Sequence, residues 1–278
     1  MLPTFVIGLR EGLEAALIVG IIAAFLRHNG RRDALRWIAL GVGAASILCA
    51  AVGVGLHLAE RALPYRQQEG LETIVALVAV GMITYMIVWM RQNAASIKSS
   101  LEHETSSALA EGSVAALVTM SFFAVLREGF ETAVFLVAAF QSSADPTATG
   151  TGAAAGLLVS VVLGYAIYRG AVHIDLGRFF RFTALVLVVV SAGLLASAFH
   201  TAHEAGWVDI GQQVAVNLGW LVRPGTVVSS LATGMFGIQP RPTVIELGAW
   251  LVYLVPVALY VAWPRRAARP VRARATTA

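Results

Sequence analysis

Long apolar runs separated by short polar segments dominate this chain. An α-helix needs about twenty mostly apolar residues to cross a bilayer, and seven segments meet that requirement. They lie at about residues 3–26, 37–58, 71–90, 113–140, 152–168, 182–200 and 243–263. The pattern predicts an all-α integral membrane protein with seven transmembrane helices.

Composition supports this class. Of the 278 residues, 58% are hydrophobic and only 13% are charged, whereas a soluble domain has about 25% charged residues. The single cysteine, Cys49, excludes an internal disulfide and a site built of several thiolates. No signal peptide is expected, because the N-terminus lacks a basic region and Arg10 and Glu11 interrupt its apolar stretch.

The distribution of Lys and Arg predicts how the chain is oriented. Of the 20 basic residues, 14 lie in the segments 27–36, 91–112, 169–181 and 264–278, whereas 4 lie in the alternate set, namely the N-terminus, 59–70, 141–151 and 201–242. Basic loops stay in the cytoplasm, so we expect the N-terminus outside and the C-terminus inside. Because membrane orientation accounts for where the Lys and Arg residues lie, the positive net charge gives no reason to predict nucleic-acid binding.

Two of the apolar runs carry the same charged motif. Residues 9–20 read LREGLEAALIVG, and residues 126–138 read LREGFETAVFLVA. The motifs lie in spans one and four, which run in opposite directions if seven spans are present. We therefore predict a first three-helix unit (1–112), an inverted second unit (113–200), an extracytoplasmic segment (201–242), a seventh helix (243–263) and a basic cytoplasmic tail (264–278), all in one membrane domain. Inverted repeats of this kind place a substrate site near the middle of the membrane.

Each motif brings three charges to one face of its helix. Glutamates three residues apart are neighbours on a helix, and an arginine four residues before the second glutamate can pair with it. The intervening glycines, Gly12 and Gly129, allow another helix to approach closely. The charged residues are Arg10, Glu11 and Glu14 in the first motif and Arg127, Glu128 and Glu131 in the second.

The energetic cost of these charges indicates a function. A charged side chain at the centre of a span costs roughly 2.5–3.5 kcal/mol. Two arginines against four glutamates leave a formal charge of −2, which a cation would neutralise, and paired carboxylates form an oxygen-rich site that suits a hard metal ion. The alternative is two structural Arg–Glu pairs that only hold helices together.

The doubled R-E-G-x-E motif resembles the oxidase-dependent iron transporter (iron permease) family, and in particular its bacterial members. The likeness extends to L-R-H-N-G after span one, E-G-L-E in span three, M-I-V-W-M-R, H-E-A-G and F-G-I-Q-P-R-P. It implies iron uptake across the bacterial cytoplasmic (inner) membrane, with Glu11, Glu14, Glu128 and Glu131 handling the ion. It further implies two partners, an extracytoplasmic iron-binding protein and a haem peroxidase.

Other acidic and histidine residues are candidates for an uptake site at the outer ends of the spans. Glu69 and Glu72 repeat the glutamate spacing with Gln68 in place of arginine. His200, His203 and Glu204 have helical spacing that suits a metal ion. Each set also has a structural reading, since acids stabilise helix starts and histidines at interfaces are common.

Several further residues fit structural roles better. His57, Glu246 and the stripe of Met82, Met86 and Met90 are expected to pack or to cap helices. An acidic run on the cytoplasmic side, Glu102, His103, Glu104 and Glu111, is expected to be a solvated loop rather than an exit site.

These features favour an iron permease over three alternatives. The alternatives are a permease for another metal cation such as lead or manganese, a proton-coupled carrier of an organic cation, and an intramembrane acid–base enzyme. The chain has no phosphate-binding loop, so we expect a secondary transporter without enzymatic activity and without a tightly bound cofactor. The oligomeric state is left open.

Overall fold

The computed structural model describes residues 1–28, 30, 32–93, 114–143, 145–168, 176–220, 233, 237 and 239–263. Within these residues the chain forms seven long α-helices, a 3-10 helix at Arg32–Ala34 and no β-strand. The α-helices are α1 (Leu2–His28), α2 (Leu35–Arg61), α3 (Tyr65–Asn93), α4 (Val114–Gln141), α5 (Pro146–Tyr168), α6 (Leu176–Glu204) and α7 (Val244–Ala262). The prediction of an all-α fold is confirmed.

Each predicted apolar run corresponds to one helix. Five runs lie within their helices, whereas the run 243–263 is one residue longer than α7 at each end and the run 113–140 begins one residue before α4. Helix α3 begins at Tyr65 and α6 begins at Leu176, in both cases about six residues before the apolar run, because the segments 65–70 and 176–181, which contain charged residues, continue the helix. Helix α4 is continuous, so Gly129 does not interrupt it.

Local capping fixes the start of two helices. Before α5, the Oδ1 atom of Asp145 accepts a hydrogen bond of 3.0 Å from the backbone N–H of Ala148, and Pro146 occupies the first helical position. At α7, the side chains of Thr243 and Glu246 each accept a hydrogen bond from the other's backbone N–H. This reciprocal capping box explains why Glu246, which is 4% exposed, lies at the helix start.

Five helices are long and apolar enough to cross a membrane, namely α2, α3, α5, α6 and α7. The two remaining long helices, α1 and α4, have 27 and 28 residues and carry the charged motifs. Large apolar side chains such as Ile47, Leu158 and Val252 are more than two-thirds exposed. Exposed apolar surface of this extent is expected where a helix faces lipid.

Three helix pairs make the closest contacts: α1 with α5, α2 with α4, and α3 with α6. Helix α1 also packs against α4 and α6, helix α3 packs against α4, and α7 packs mainly against α6. The two helices that carry the charged motifs are therefore direct neighbours.

Small residues bring α1 and α5 into backbone contact. A Cβ atom at Gly8 would collide with the carbonyl oxygen of Ala153, and one at Gly156 would collide with the backbone of Phe5. Close approach through small residues is the usual basis of helix association in membranes, where apolar burial gives little driving force.

The main apolar core lies beside the charged segments. It joins Ile83 of α3, Phe135 of α4 and Leu187 of α6, each of which is fully buried, with Ile7 of α1. Ile7 precedes Glu11 by one helical turn, and Phe135 follows Glu131 by one turn. The apolar core therefore lies one turn from each motif and includes residues of both motif helices.

Candidate metal centre

The first motif is almost completely buried. Arg10 is 1% exposed and Glu11 is 0% exposed. The Nη1 atom of Arg10 donates to Oε1 of Glu11 over 3.1 Å, and its Nη2 atom lies 3.0 Å from Oε1 of Glu14. The predicted i,i+4 pair is thus present, and the guanidinium bridges both glutamates of its own helix.

The second motif has the same internal pairing but a different environment. The Nε atom of Arg127 donates to Oε1 of Glu131 over 3.3 Å and lies 4.0 Å from Oε1 of Glu128. The side chain of Arg127 is 47% exposed, whereas Glu128 and Glu131 are 8% and 12% exposed. Its guanidinium carbon lies 5.0 Å from the centre of the Trp89 ring on α3.

Three of the four motif glutamates converge. One carboxylate oxygen each from Glu11, Glu128 and Glu131 can be chosen so that all three lie within 4.8 Å of one another. We call these residues the carboxylate cluster. Among the residues that the structure describes, no other set of three or more His, Cys, Asp or Glu side chains comes together in this way. Glu14 is outside the cluster and is held by Arg10.

The carboxylate cluster has the properties of a cation site. Oε2 of Glu11 is buried and has no hydrogen-bond partner among the described residues, which is costly for a carboxylate oxygen unless a ligand satisfies it. Even when Glu14 and both arginines are counted, the formal charge is −2. Three carboxylates from two helices supply the oxygen ligands that hard metal ions prefer.

The motif glycines lie at contacts with two other helices. A Cβ atom at Gly12 would collide with the side chain of Ser160 on α5, and one at Gly129 would collide with that of Cys49 on α2. The close approach expected at these glycines is therefore present, and each glycine fixes its motif helix against a different partner.

Helix α3 contributes a contact to the site that sequence reasoning missed. The Sδ atom of Met86 accepts a hydrogen bond of 2.6 Å from Nη1 of Arg10. Met86 and Met90 are 2% and 7% exposed, as a packing stripe predicts. The spacing of the methionines could not show that one of them contacts a motif arginine.

The C-terminal ends of α2 and α4 and the N-terminal end of α3 hold a second acidic group. Glu69 is 8% exposed, and the carboxylate of Glu72 accepts a hydrogen bond of 3.4 Å from Gln68 and adjoins the carboxyl group of Glu60. Glu60, which is 7% exposed, accepts a hydrogen bond of 3.1 Å from Gln141. Glu60 is not singled out by the sequence pattern, since it lies near the end of an apolar helix and resembles an ordinary terminal acid. His57 lies 3.8 Å from Glu60.

A neighbouring polar network joins α3, α6 and α7. His200 lies 2.9 Å from Glu246 through Nδ1 and 3.5 Å from Glu204 through Nε2. Tyr65 donates to Glu204 over 2.8 Å. His203 is turned to the following loop, where its Nδ1 lies 2.9 Å from the carbonyl oxygen of Val208. His203 is thus directed away from the pair that His200 forms with Glu204.

Among the described residues, neither this acidic group nor the polar network around His200 has three ligand atoms as close together as those of the carboxylate cluster. An uptake site formed by Glu69, Glu72, His200, His203 and Glu204 therefore stays a prediction. The residues Glu102, His103, Glu104 and Glu111, which the sequence predicts to be a solvated loop, lie outside the described residues.

Comparison with known proteins agrees with the motifs. Residues 1–273 match the iron permease FTR1 family. The ferrous iron permease EfeU of Shigella sonnei (strain Ss046) is 41% identical over 271 residues, which cover 96% of this chain and 97% of that protein. The ferrous iron permease EfeU of Yersinia pestis is 40% identical over 268 residues, which cover 96% of this chain and 95% of the relative. No solved structure gives a significant match. The chain therefore belongs to the iron permease FTR1 family.

Proposed function

We propose that this protein is an iron permease that moves iron inward across a bacterial cytoplasmic membrane, using the carboxylate cluster as its central binding site. The observation that carries the proposal is the convergence of Glu11 from one motif with Glu128 and Glu131 from the other. The names of the relatives, ferrous iron permeases, support iron as the cargo.

We further propose that α1 to α6 form two inverted three-helix repeats, with α7 added at the end and seven spans in all. The packing supports this assignment. If α1, α2 and α3 correspond to α4, α5 and α6, then the contact of α1 with α5 corresponds to that of α4 with α2. The contact of α1 with α6 likewise corresponds to that of α4 with α3, and all four contacts are present. The excess of Lys and Arg in alternate loops supports a cytoplasmic C-terminus.

In this mechanism the cation exchanges its water for carboxylate oxygens between α1 and α4. Glu14, which pairs with Arg10 over 3.0 Å, is the carboxylate next to the cluster and takes part as the ion moves on. Since a carboxylate must be deprotonated to bind a metal ion, protonation weakens the site and favours release. The acidic region around Glu69 and Glu72 attracts cations at the outer face, and delivery by an extracytoplasmic iron-binding protein and a haem peroxidase fits this arrangement.

The carboxylate oxygens can bind Fe²⁺ or Fe³⁺, and a transport experiment identifies which ion is carried. Purified protein in liposomes should accumulate radiolabelled iron, and a reductant in the external buffer should raise the rate if Fe²⁺ is the transported ion. Competition with Mn²⁺ and Pb²⁺ measures selectivity. The double variant Glu128→Gln, Glu131→Gln should lose uptake, because it removes two of the three clustered carboxylates.

A matched control is Asp145→Asn. This change also removes negative charge, but it lies in a loop and an asparagine preserves the cap of α5. Normal uptake by the double variant, or equal loss in the control, would contradict the proposed function.

A further inference from the structure

Both motif arginines contact the same face of α3. Arg10 donates to the Sδ atom of Met86, and the guanidinium of Arg127 lies over the ring of Trp89. Met86 and Trp89 are three residues apart, which places them on one side of the helix. Helix α3 lacks the R-E-G-x-E motif, yet it supplies a partner to each motif arginine.

The two arginines differ in how firmly they are held. Arg10 is 1% exposed and bridges two glutamates, whereas Arg127 is 47% exposed. The carboxylates nearest to Arg127 are those of Glu131 and Glu128, and both belong to the carboxylate cluster. Arg127 and a bound cation therefore compete for the same oxygens.

An aromatic ring stabilises a cation over its face, and tryptophan does so best. A guanidinium that loses its carboxylate partner at membrane depth would otherwise be costly. The Trp89 ring, 5.0 Å away, supplies an alternative partner. We propose that Trp89 is a positioning residue that holds Arg127 as a displaceable counter-charge, so that a cation can take the carboxylates of Glu128 and Glu131. This inference rests on the proposed function of the cluster.

The direct test is equilibrium binding of radiolabelled Fe²⁺ to purified protein in detergent, under reducing conditions. In Trp89→Leu the guanidinium loses the aromatic ring and keeps its ion pairs with Glu128 and Glu131, so it competes more strongly with iron for those carboxylates. We expect the Kd to rise roughly two- to thirty-fold, the range that the loss of one cation–π contact gives. Trp89→Phe keeps an aromatic ring and should show a smaller rise.

A double-mutant cycle separates this role from a merely structural one. If Trp89 acts through Arg127, then Trp89→Leu changes the Kd in the wild-type background but not in an Arg127→Gln background. Arg127→Gln alone should bind iron at least as tightly as the wild type, since the competing cation is absent. Equal weakening in both backgrounds, or an unchanged Kd in Trp89→Leu, would overturn the inference.

A matched control is Trp37→Leu, because Trp37 also lies against a guanidinium, that of Arg36 at 5.2 Å, but at the start of α2. This control should leave the Kd unchanged. Thermal unfolding of each variant shows whether it is folded, and Trp89→Phe replaces Trp89→Leu in the cycle if the leucine variant unfolds. If Glu11→Gln also binds iron normally, the proposed function has failed. If the Trp89 variants bind iron normally while Glu11→Gln binds it weakly, the inference about Trp89 has failed and the proposed function stands.

Discussion

The change Glu11→Gln tests the carboxylate cluster most sharply. It removes one negative charge and almost no volume from a side chain that is fully buried. Glutamine keeps an oxygen that can accept the hydrogen bond from Arg10, and Arg10 keeps its ion pair with Glu14 at 3.0 Å. The variant should therefore fold, and its defect should be confined to cation binding.

The expected magnitude follows from the geometry. The three ligand oxygens lie within 4.8 Å of one another, so there is a position between them that is within about 2.8 Å of all three. That is close to the range of about 2.0–2.6 Å for hard cations and oxygen. Two unit charges at 4 Å interact with about 4 kcal/mol at an effective dielectric constant of 20. Losing one such interaction weakens binding by roughly a thousand-fold.

The assay is uptake of radiolabelled iron into liposomes, with initial rates measured over a wide range of iron concentrations. We expect Glu11→Gln to show almost no uptake at iron concentrations that saturate the wild type, while its thermal unfolding is little changed. Asp145→Asn serves again as the charge-matched control. Wild-type values of KM and maximal rate in Glu11→Gln would refute the assignment of Glu11 as a ligand.

Three further predictions concern the surroundings of the cluster. Arg10→Lys should lower thermal stability and transport more than Arg127→Lys, because a buried fork that bridges two carboxylates is not replaced by a single ammonium group; similar losses in both would contradict this. Gly12→Ala should destabilise the protein by about 1–3 kcal/mol through overpacking against α5, whereas Gly20→Ala should be neutral or stabilising, since a Cβ there meets nothing within 4 Å; denaturation in detergent measures both. Thr73→Val should cost about 1 kcal/mol by the same measurement, because it removes a 2.7 Å hydrogen bond between α3 and α6, and an unchanged stability would show that this bond contributes nothing.

The helices were well predicted from the sequence, because an apolar run of about twenty residues is compatible with few structures other than a membrane-spanning helix. Its errors lie at the helix ends, where hydropathy no longer reports on structure. Helix α3, for example, includes the polar stretch from Tyr65 that hydropathy alone leaves out. The pairing of Arg10 with Glu14 was also predictable, since spacing along one helix decides it.

The composition of the carboxylate cluster could not be predicted in the same way. Glu14 and Glu131 have equivalent positions in their motifs, yet Glu14 is outside the cluster and Glu131 is inside it. Which carboxylates meet depends on the rotation of α1 against α4 and on side-chain rotamers, which periodicity does not encode. The contacts of Met86 and Trp89 were missed for a related reason, because they join residues more than thirty positions apart in the chain.

The glycine contacts of α1 with α5 restrict how such a permease can change shape. Where backbone touches backbone, as at Gly8 and Gly156, sliding by even part of a turn would drive bulkier side chains into the neighbouring main chain. We therefore expect α1 and α5 to move together as one rigid body. We expect rearrangement during a transport cycle to occur instead where α1 meets α4 at the carboxylate cluster, because those charged side chains can exchange partners.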